Sequence, residues 1–372
     1  MILSDVTPWL ETPPYSLAAV EKSVRQLTRL NELTAWHYEN CAAYRNVLDA
    51  GFGGRRAAAA ERIEDVPFLP VTLFKQHELR SVPQTEVIKT LTSSGTTGQA
   101  VSRISIDRPT GRSMEHALVK VMQHFLGKDR LPMVILDHKN VIKDRASFSA
   151  RGAGILGMAQ FGRLPFYALH DDLTPDLTGL KDYLAKAGTT RVFLFGFTFL
   201  VWQGLVQSLE KTGERLHLPE AVLVHSGGWK KLQDEAVSAD EFRRRLEAVT
   251  GIRTALNFYG MVEQVGGVFM ENPLHCLHAS VFSNIIIRDP VTLAPLPHGE
   301  KGLVQVLSVL PGSYPGHSIL TEDMGIIRGE DTPAAGGMLG RYFEILGRVP
   351  RAELRGCSDV TAAGAATQRP AA

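Results

Sequence analysis

The sequence is poor in cysteine, with three among 372 residues, at positions 41, 276 and 357. Thiols so few and so widely spaced build no disulfide framework, which points to a reducing compartment. Neither charge is in excess: 40 basic residues meet 39 acidic ones, the net charge is +1, and no long run of one sign occurs. That balance excludes the basic footprint of a nucleic-acid binder. No stretch approaches the ~20 apolar residues that span a bilayer, so no membrane segment is expected. Met1 to Leu10 carries neither a basic leader region nor an apolar one, so secretion is not expected and a cytoplasmic location is. No internal repeat is found.

What is present is a chain 44% hydrophobic, with 34 glycines, long enough to bury a sizeable core. Ser16 follows Pro13-Pro14 and is placed to cap a helix whose Leu17, Val20, Val24, Leu27 and Leu30 step by three and four, predicting a buried stripe. A second helical run ends near Leu48 and Gly51, with Cys41 on its apolar side and read as core. Pro67 to Lys75 is apolar but broken by prolines, which suits an edge or wall. Pro109 fits the first turn of a helix carrying Met114, Leu118, Val121, Met122 and Phe125. Then short apolar strands (134–136, 191–195, 221–224, 256–259) alternate with helical runs (177–187, 198–209, 239–249). This texture predicts an α/β fold with a largely parallel sheet covered on both faces. Beyond residue 275, strands joined by Gly/Pro turns predict an antiparallel or barrel-like part, and 361–372 reads as a disordered tail.

Thr92-Ser93-Ser94-Gly95-Thr96-Thr97-Gly98 packs five hydroxyls and two glycines into seven positions between strand-like flanks. Such a loop presents backbone N–H groups and side-chain oxygens to a phosphate, although a solvated turn has the same composition. It is not a Walker A loop, because Gln99 and Ala100 stand where the lysine is required. Three further polar clusters fall at strand ends, where open α/β sheets bind ligands. His225-Ser226-Gly227-Gly228-Trp229-Lys230-Lys231 offers glycines for close approach of a flat ring and lysines for an anion. Asn257 to Gln264 sets Tyr259-Gly260 three residues before Glu263, an aromatic for stacking and an acid for a metal riding on phosphate. Leu320-Thr321-Glu322-Asp323 offers a carboxylate to ribose hydroxyls, or is a turn. His275-Cys276-Leu277-His278 is weighed as a metal site and found short of four ligands. His317 is either a turn residue or a wall of the nucleotide site.

The joint order of these segments, together with Gly299-Glu300-Lys301-Gly302 and Gly347-Arg348, resembles the adenylate-forming superfamily of acyl-CoA synthetases and adenylation domains. His37 to Cys41, Leu73-Phe74-Lys75, Phe195-Gly196-Phe197, Gly227 to Lys231, Tyr314 to His317 and Glu353 to Ser358 look more closely like the acyl-protein synthetases of the fatty-acid reductase complexes of luminous bacteria. The likeness runs from about residue 15 to about residue 360. It implies an adenylate-forming core over 1–346, a vestigial C-terminal segment over 347–360 and a nearly absent lid domain. It also implies ATP-dependent, Mg²⁺-dependent activation of a carboxylic acid, expected to be a long-chain fatty acid, as acyl-AMP. The acyl group then passes to Cys357 as a thioester, with an acyl-accepting reductase and a thioesterase as the expected partners.

Matched motif by motif, Ser94, Gly95, Thr96, Thr97 and Gly98 would cradle the phosphates, and Thr97 with Glu263 would sit near Mg²⁺. Gly227, Gly228, Trp229, Tyr259 and Gly260 would frame the adenine. Asp323 would hold the ribose and Arg348 the ribose or α-phosphate. Phe195, Gly196, Phe197 and His225 would line the acid pocket. Cys357 follows Arg355 and Arg348, cations that favour a thiolate. Two features depart from the superfamily. Ala100-Val101-Ser102 replaces its Pro-Lys-Gly, and only 25 residues follow Gly347, none of them lysine. Lys230, Lys231 and Lys75 are the core candidates for the missing charge. An acid–CoA or acid–amine ligase and a non-catalytic acyl-carrying or nucleotide-sensing subunit are the other readings.

Overall fold

Fourteen strands are found among the described residues, and the main sheet that twelve of them build explains where a ligand can enter. The structure is a computed structural model whose described residues are 3–93, 101–142, 150–228 and 236–349. In chain order the strands are β1 (Leu69–Pro70), β2 (Val87–Thr92), β3 (Arg103–Asp107), β4 (Leu131–His138), β5 (Gly162–Leu169), β6 (Phe193–Phe197) and β7 (Val222–Ser226). They continue with β8 (Thr254–Tyr259), β9 (Phe269–Glu271), β10 (Leu277–His278), β11 (Ser283–Arg288), β12 (Lys301–Ser308), β13 (Ser318–Glu330) and β14 (Arg341–Arg348).

Twelve of these strands form one sheet in the order β11-β12-β13-β14-β10-β9-β8-β7-β6-β4-β5, with β1 pairing parallel to β13. The half from β5 to β8 is parallel. From β8 to β11 every neighbour is antiparallel. The expected parallel and antiparallel parts are therefore joined edge to edge through β8 and β9, while β2 and β3 form a separate hairpin. Met133, Ile135, Phe193, Phe195 and Val224 bury one face of the parallel half, and Val134, Leu136, Leu194 and Leu223 bury the other. Strands apolar on both faces need helices on both. Helices Arg108–Leu126 and Ala150–Ala159 supply the first cover, and the run Thr198–Thr212 with Ala239–Thr250 the second. Asp107 caps helix Arg108–Leu126 by accepting from Thr110 N at 2.9 Å, and Pro109 sits in the first turn as the sequence suggests. No helix among the described residues is long and apolar enough to cross a membrane.

Helix Ala19–Asn40 corrects the first expected stripe. Val20 and Val24 are 72% and 66% exposed, and the buried side includes Lys22, Gln26, Arg29 and His37. Lys22 Nζ donates to Ala279 O at 2.8 Å, Gln26 Nε2 to Val281 O at 2.9 Å and Arg29 Nε to Val309 O at 3.3 Å. The helix covers irregular backbone leading into and out of β11 and β12, whose carbonyls need donors. A polar stripe does what an apolar one cannot. Its N-terminus also differs from expectation: the Asp331 carboxylate, not Ser16, accepts from Ala19 N.

Candidate active site

The hydroxyl-rich loop springs from the β2–β3 hairpin. Residues 94–98, with Gln99 and Ala100, lie outside the described residues, but the base of the loop is closed by Ser93 N donating to Ser102 O at 3.2 Å and Ser102 N to Ser93 Oγ at 2.9 Å. That base is tied to a second segment. Ser313 Oγ donates to Ser105 O at 2.8 Å, and Ser313 N donates to Thr110 Oγ1 at 3.1 Å. The next residue, Tyr314, is fully buried and donates its hydroxyl to Glu263 O at 2.9 Å. A continuous hydrogen-bonded path thus runs from β3 through 313–314 to Glu263.

Glu263 lies in the short turn Val262–Gln264 after β8 and is buried, 5% exposed. Its carboxylate makes no ion pair among the described residues, although a buried carboxylate is costly without a cation. Its backbone is pinned further by Gln264, whose Nε2 donates to Gly316 O at 2.8 Å and Val306 O at 3.1 Å. A carboxylate without an ion pair among the described residues, on so fixed a backbone, fits Mg²⁺, which is bound by one or two carboxylates together with substrate phosphates.

Tyr259, at the end of β8, donates its hydroxyl to Asp323 Oδ2 at 2.7 Å. Burial and then the Asp323 carboxylate push the phenol pKa far above its ordinary value, so the hydroxyl stays a donor. Asp323 on β13 is the register partner of Arg348 on β14, and Arg348 Nε lies 3.6 Å from Asp323 Oδ1. Arg348 is 81% exposed, so this pair contributes little to stability and leaves the guanidinium accessible. Tyr259, Asp323 and Arg348 are thereby gathered at the seam between the parallel and antiparallel halves.

The end of β7 lies along the same rim. Gly227 has φ +90°, and a Cβ there would stand 2.6 Å from Phe197 Cδ1, so glycine is required for the chain to turn against that ring. Gly228 has φ +61° with open space around it. Trp229, Lys230 and Lys231 lie outside the described residues, as does Cys357. Phe195 and Phe197 share the face covered by helix Ala150–Ala159, with Gly154 against both rings. His225 does not join them. It alternates to the opposite face, with its ring 4.9 Å from Phe242 and Nδ1 3.0 Å from Thr198 Oγ1. Burial, then the Arg243 charge, holds its pKa down at about 3, which keeps it neutral. Gly196 also faces that side, packed on Leu136 and Val201.

A family model described as acyl-protein synthetase, LuxE, matches residues 5–364. The chain belongs to the acyl-protein synthetase family. It is 28% identical over 343 residues to a long-chain-fatty-acid–luciferin-component ligase of Vibrio harveyi, covering 87% of this chain and 83% of that protein. A ligase of the same name from Aliivibrio fischeri is 25% identical over 344 residues, covering 88% and 85%. Among solved structures, an open conformation of 2-hydroxyisobutyryl-CoA ligase, in complex with 2-HIB-AMP and CoA, superposes with a TM-score of 0.67 at 18% identity. That match covers 94% of this chain and 81% of that one. The fold is that of the adenylate-forming ligases, and this acyl-protein synthetase is a ligase by family.

Several residues of this synthetase take places the sequence did not indicate. His317 is a turn residue, in the bend that leads into β13, and it is fully buried there: it stacks on His37 with ring centroids 5.0 Å apart, and its Nε2 lies 3.0 Å from Thr34 Oγ1. His278 spends both ring nitrogens, on Asn272 Nδ2 at 3.1 Å and Leu339 O at 3.1 Å. Cys276 has its thiol pKa pushed up to about 11 by burial and the Glu344 carboxylate. Cys276, Leu277 and His278 are therefore engaged in packing while His275 is exposed, and the described residues hold no group of three His, Cys, Asp or Glu able to share a metal. Lys75 sits in the turn Leu73–Gln76 beside β1. Ser313 and Tyr314 carry the path to Glu263 without having been assigned any role from sequence. The only advance signal was Tyr314-Pro315-Gly316 itself: a Cβ on Gly316 would fall 2.7 Å from Glu263 O.

Proposed function

We propose that this synthetase activates a long-chain fatty acid with ATP and then holds the acyl group as a thioester on Cys357. The carrying observation is the convergence on Asp323 of Tyr259 from β8 and Arg348 from β14, with Glu263 tied back to the base of the hydroxyl loop through Tyr314. Family membership and the names of the two bacterial relatives support the choice of acid. In the first step a carboxylate oxygen attacks the α-phosphorus, forming the acyl–phosphate bond, while the bond to pyrophosphate breaks. In the second step the Cys357 sulfur attacks the acyl carbon, the bond to AMP breaks, and the thiol proton passes to solvent.

Asp323 accepts from the ribose hydroxyls while Tyr259 fixes the carboxylate that does so. Residues 94–98 supply N–H and O–H donors to the phosphates, and Arg348 offers its exposed guanidinium to the ribose or α-phosphate. When bound, Mg²⁺ neutralises charge on the departing pyrophosphate, and Glu263 with Thr97 would hold it. Positioning and fixed charge account for most of such a reaction. A reductase that consumes the thioester, and a thioesterase that supplies acyl groups, are the partners this reading calls for.

The test is incubation with ATP, Mg²⁺ and labelled fatty acid. Label is expected on the denatured chain, to be released by hydroxylamine, and to vanish in Cys357→Ser while acid-dependent pyrophosphate exchange persists. Free acyl-CoA or amide with no protein-bound label would instead identify an acid–CoA or acid–amine ligase. Absence of exchange with any acid would leave only an acyl-carrying subunit.

A further inference from the structure

A cavity of about 960 Å³ opens beside β1, between helix Ala42–Gly51, the segment 64–73 and the turn 292–295. Val47, Phe52, Phe68 and Leu73 supply its apolar walls. The volume lies at the upper end of what small-molecule sites enclose. Its charges are already committed. Arg288, the guanidinium on its wall, donates Nη1 to Leu293 O at 2.9 Å and Nη2 to Glu64 O at 2.6 Å, and it stacks 4.6 Å over Phe68. The two carboxylates there, Glu64 and Asp65, pair with Arg341 at 3.4 Å and Arg62 at 2.9 Å. The cavity therefore offers hydrocarbon contact, two acids and the imidazole of His77 on its wall, but no uncommitted guanidinium for an anionic head group. A free fatty acid is a poor match, whereas the same chain with an uncharged head is a good one.

The cavity also lies within reach of the chain that carries Cys357. Pro70 on its wall is the register partner of Leu320, and Glu322, two residues or about 7 Å further along β13, accepts from Val349 N at 2.9 Å. Cys357 follows Val349 by eight residues, a tether of at most about 29 Å.

Resting on the activity proposed above, we propose that this cavity is an acyl-chain site, filled by the tail of the acyl group once its carboxylate has become the uncharged thioester on Cys357. Burying the tail removes apolar surface from water and draws the thioester toward the protein, away from hydrolysis.

The experiment uses the full chain without ATP. Displacement of the neutral dye Nile red by tetradecanal is compared with displacement by tetradecanoate, in the parent and in Gly51→Trp and Leu73→Glu. Gly51 lines the cavity with open space at its Cβ position, so a side chain there starts without a clash, and circular dichroism checks each fold. The aldehyde is expected to displace the dye at a concentration at least tenfold lower than the acid does, and each variant to weaken the aldehyde about tenfold or more. Leu164→Ser, at a leucine 71% exposed elsewhere on the surface, is expected to change nothing. Equal affinity for aldehyde and acid, or variants that bind like the parent, overturn the site. In a second arm the labelled thioester formed with ATP is expected to hydrolyse several-fold faster in Gly51→Trp than in the parent; equal half-lives overturn the sheltering role. Pyrophosphate exchange by the unaltered chain reports the activity separately, so its absence is distinguishable from failure of the cavity to take an alkyl chain.

Discussion

Tyr259 and Asp323 stand 64 residues apart in the chain, yet the phenol donates to the carboxylate at 2.7 Å across the seam where the parallel half of the sheet meets the antiparallel half. That bond fixes which oxygens of Asp323 remain for a ligand. Tyr259→Phe is expected to leave the fold intact and raise the KM for ATP about tenfold, the loss of one neutral-to-charged hydrogen bond. Asp323→Ala removes the acceptor itself and is expected to raise it on the order of 10- to 100-fold. Both are read by pyrophosphate exchange at varied ATP. An unchanged KM in Asp323→Ala would remove this residue from the nucleotide site.

Three glycines near the site predict a graded series, because each has positive φ but a different neighbour. Gly228→Ala meets open space and is expected to cost about 1 kcal/mol of backbone strain alone. Gly227→Ala adds the contact with the Phe197 ring, which can shift, for about 2–3 kcal/mol. Gly266→Ala would place its Cβ 2.7 Å from Met114 O, a helix backbone atom that cannot yield, and is expected to cost the most. Urea midpoints should fall in that order; a Gly266→Ala midpoint at or above that of Gly228→Ala would contradict the packing argument.

Much of this architecture was legible wherever one local rule acted alone. The alternation of short apolar strands with helices announced the parallel half, and Pro109 announced a helix start. Val20 and Val24 misled because helical spacing reports which residues share a face, not which face is buried. Here the partner is open backbone, so Lys22 and Gln26 turn inward. His225 was grouped with Phe197 by motif resemblance alone, but alternation along β7 sends it through to the other face. The path from Ser105 through Ser313 and Tyr314 to Glu263 was hidden, because its links join segments far apart in sequence through a backbone carbonyl, which any residue type supplies.

That path yields a prediction of its own. Tyr314→Phe deletes the donor to Glu263 O and leaves a buried carbonyl unsatisfied, at about 1–3 kcal/mol. If the bond positions Glu263, the Mg²⁺ concentration giving half-maximal exchange should rise several-fold, while Glu263→Gln abolishes the response over the same range. A Tyr314→Phe protein that is less stable but has an unchanged Mg²⁺ requirement would make Tyr314 a packing residue only.

The stacked pair His37 and His317 makes stability depend on pH. His37 Nε2 faces Pro311 O at 3.1 Å, so it carries the proton and Nδ1 accepts from Ser81 Oγ at 2.7 Å, which fixes the neutral tautomer. Burial lowers the His37 pKa well below its ordinary value and holds His317 at about 3. Because the folded pKa values are depressed, the unfolded chain takes up these protons first, below its own pKa of about 6.5. Stability from this pair is therefore full above about pH 6.5 and falls as pH drops toward 3, on the order of 1.4 kcal/mol per pH unit for each imidazole. Burial likewise lowers His225 to about 3 and His278 to about 4, which adds to the same slope. Urea midpoints measured near pH 7, 6 and 5 should decline with increasing steepness. His317→Gln, less stable near neutrality, should show a shallower decline by one proton. A midpoint that holds constant from pH 7 to pH 5 would mean that these imidazoles are hydrated in the folded protein.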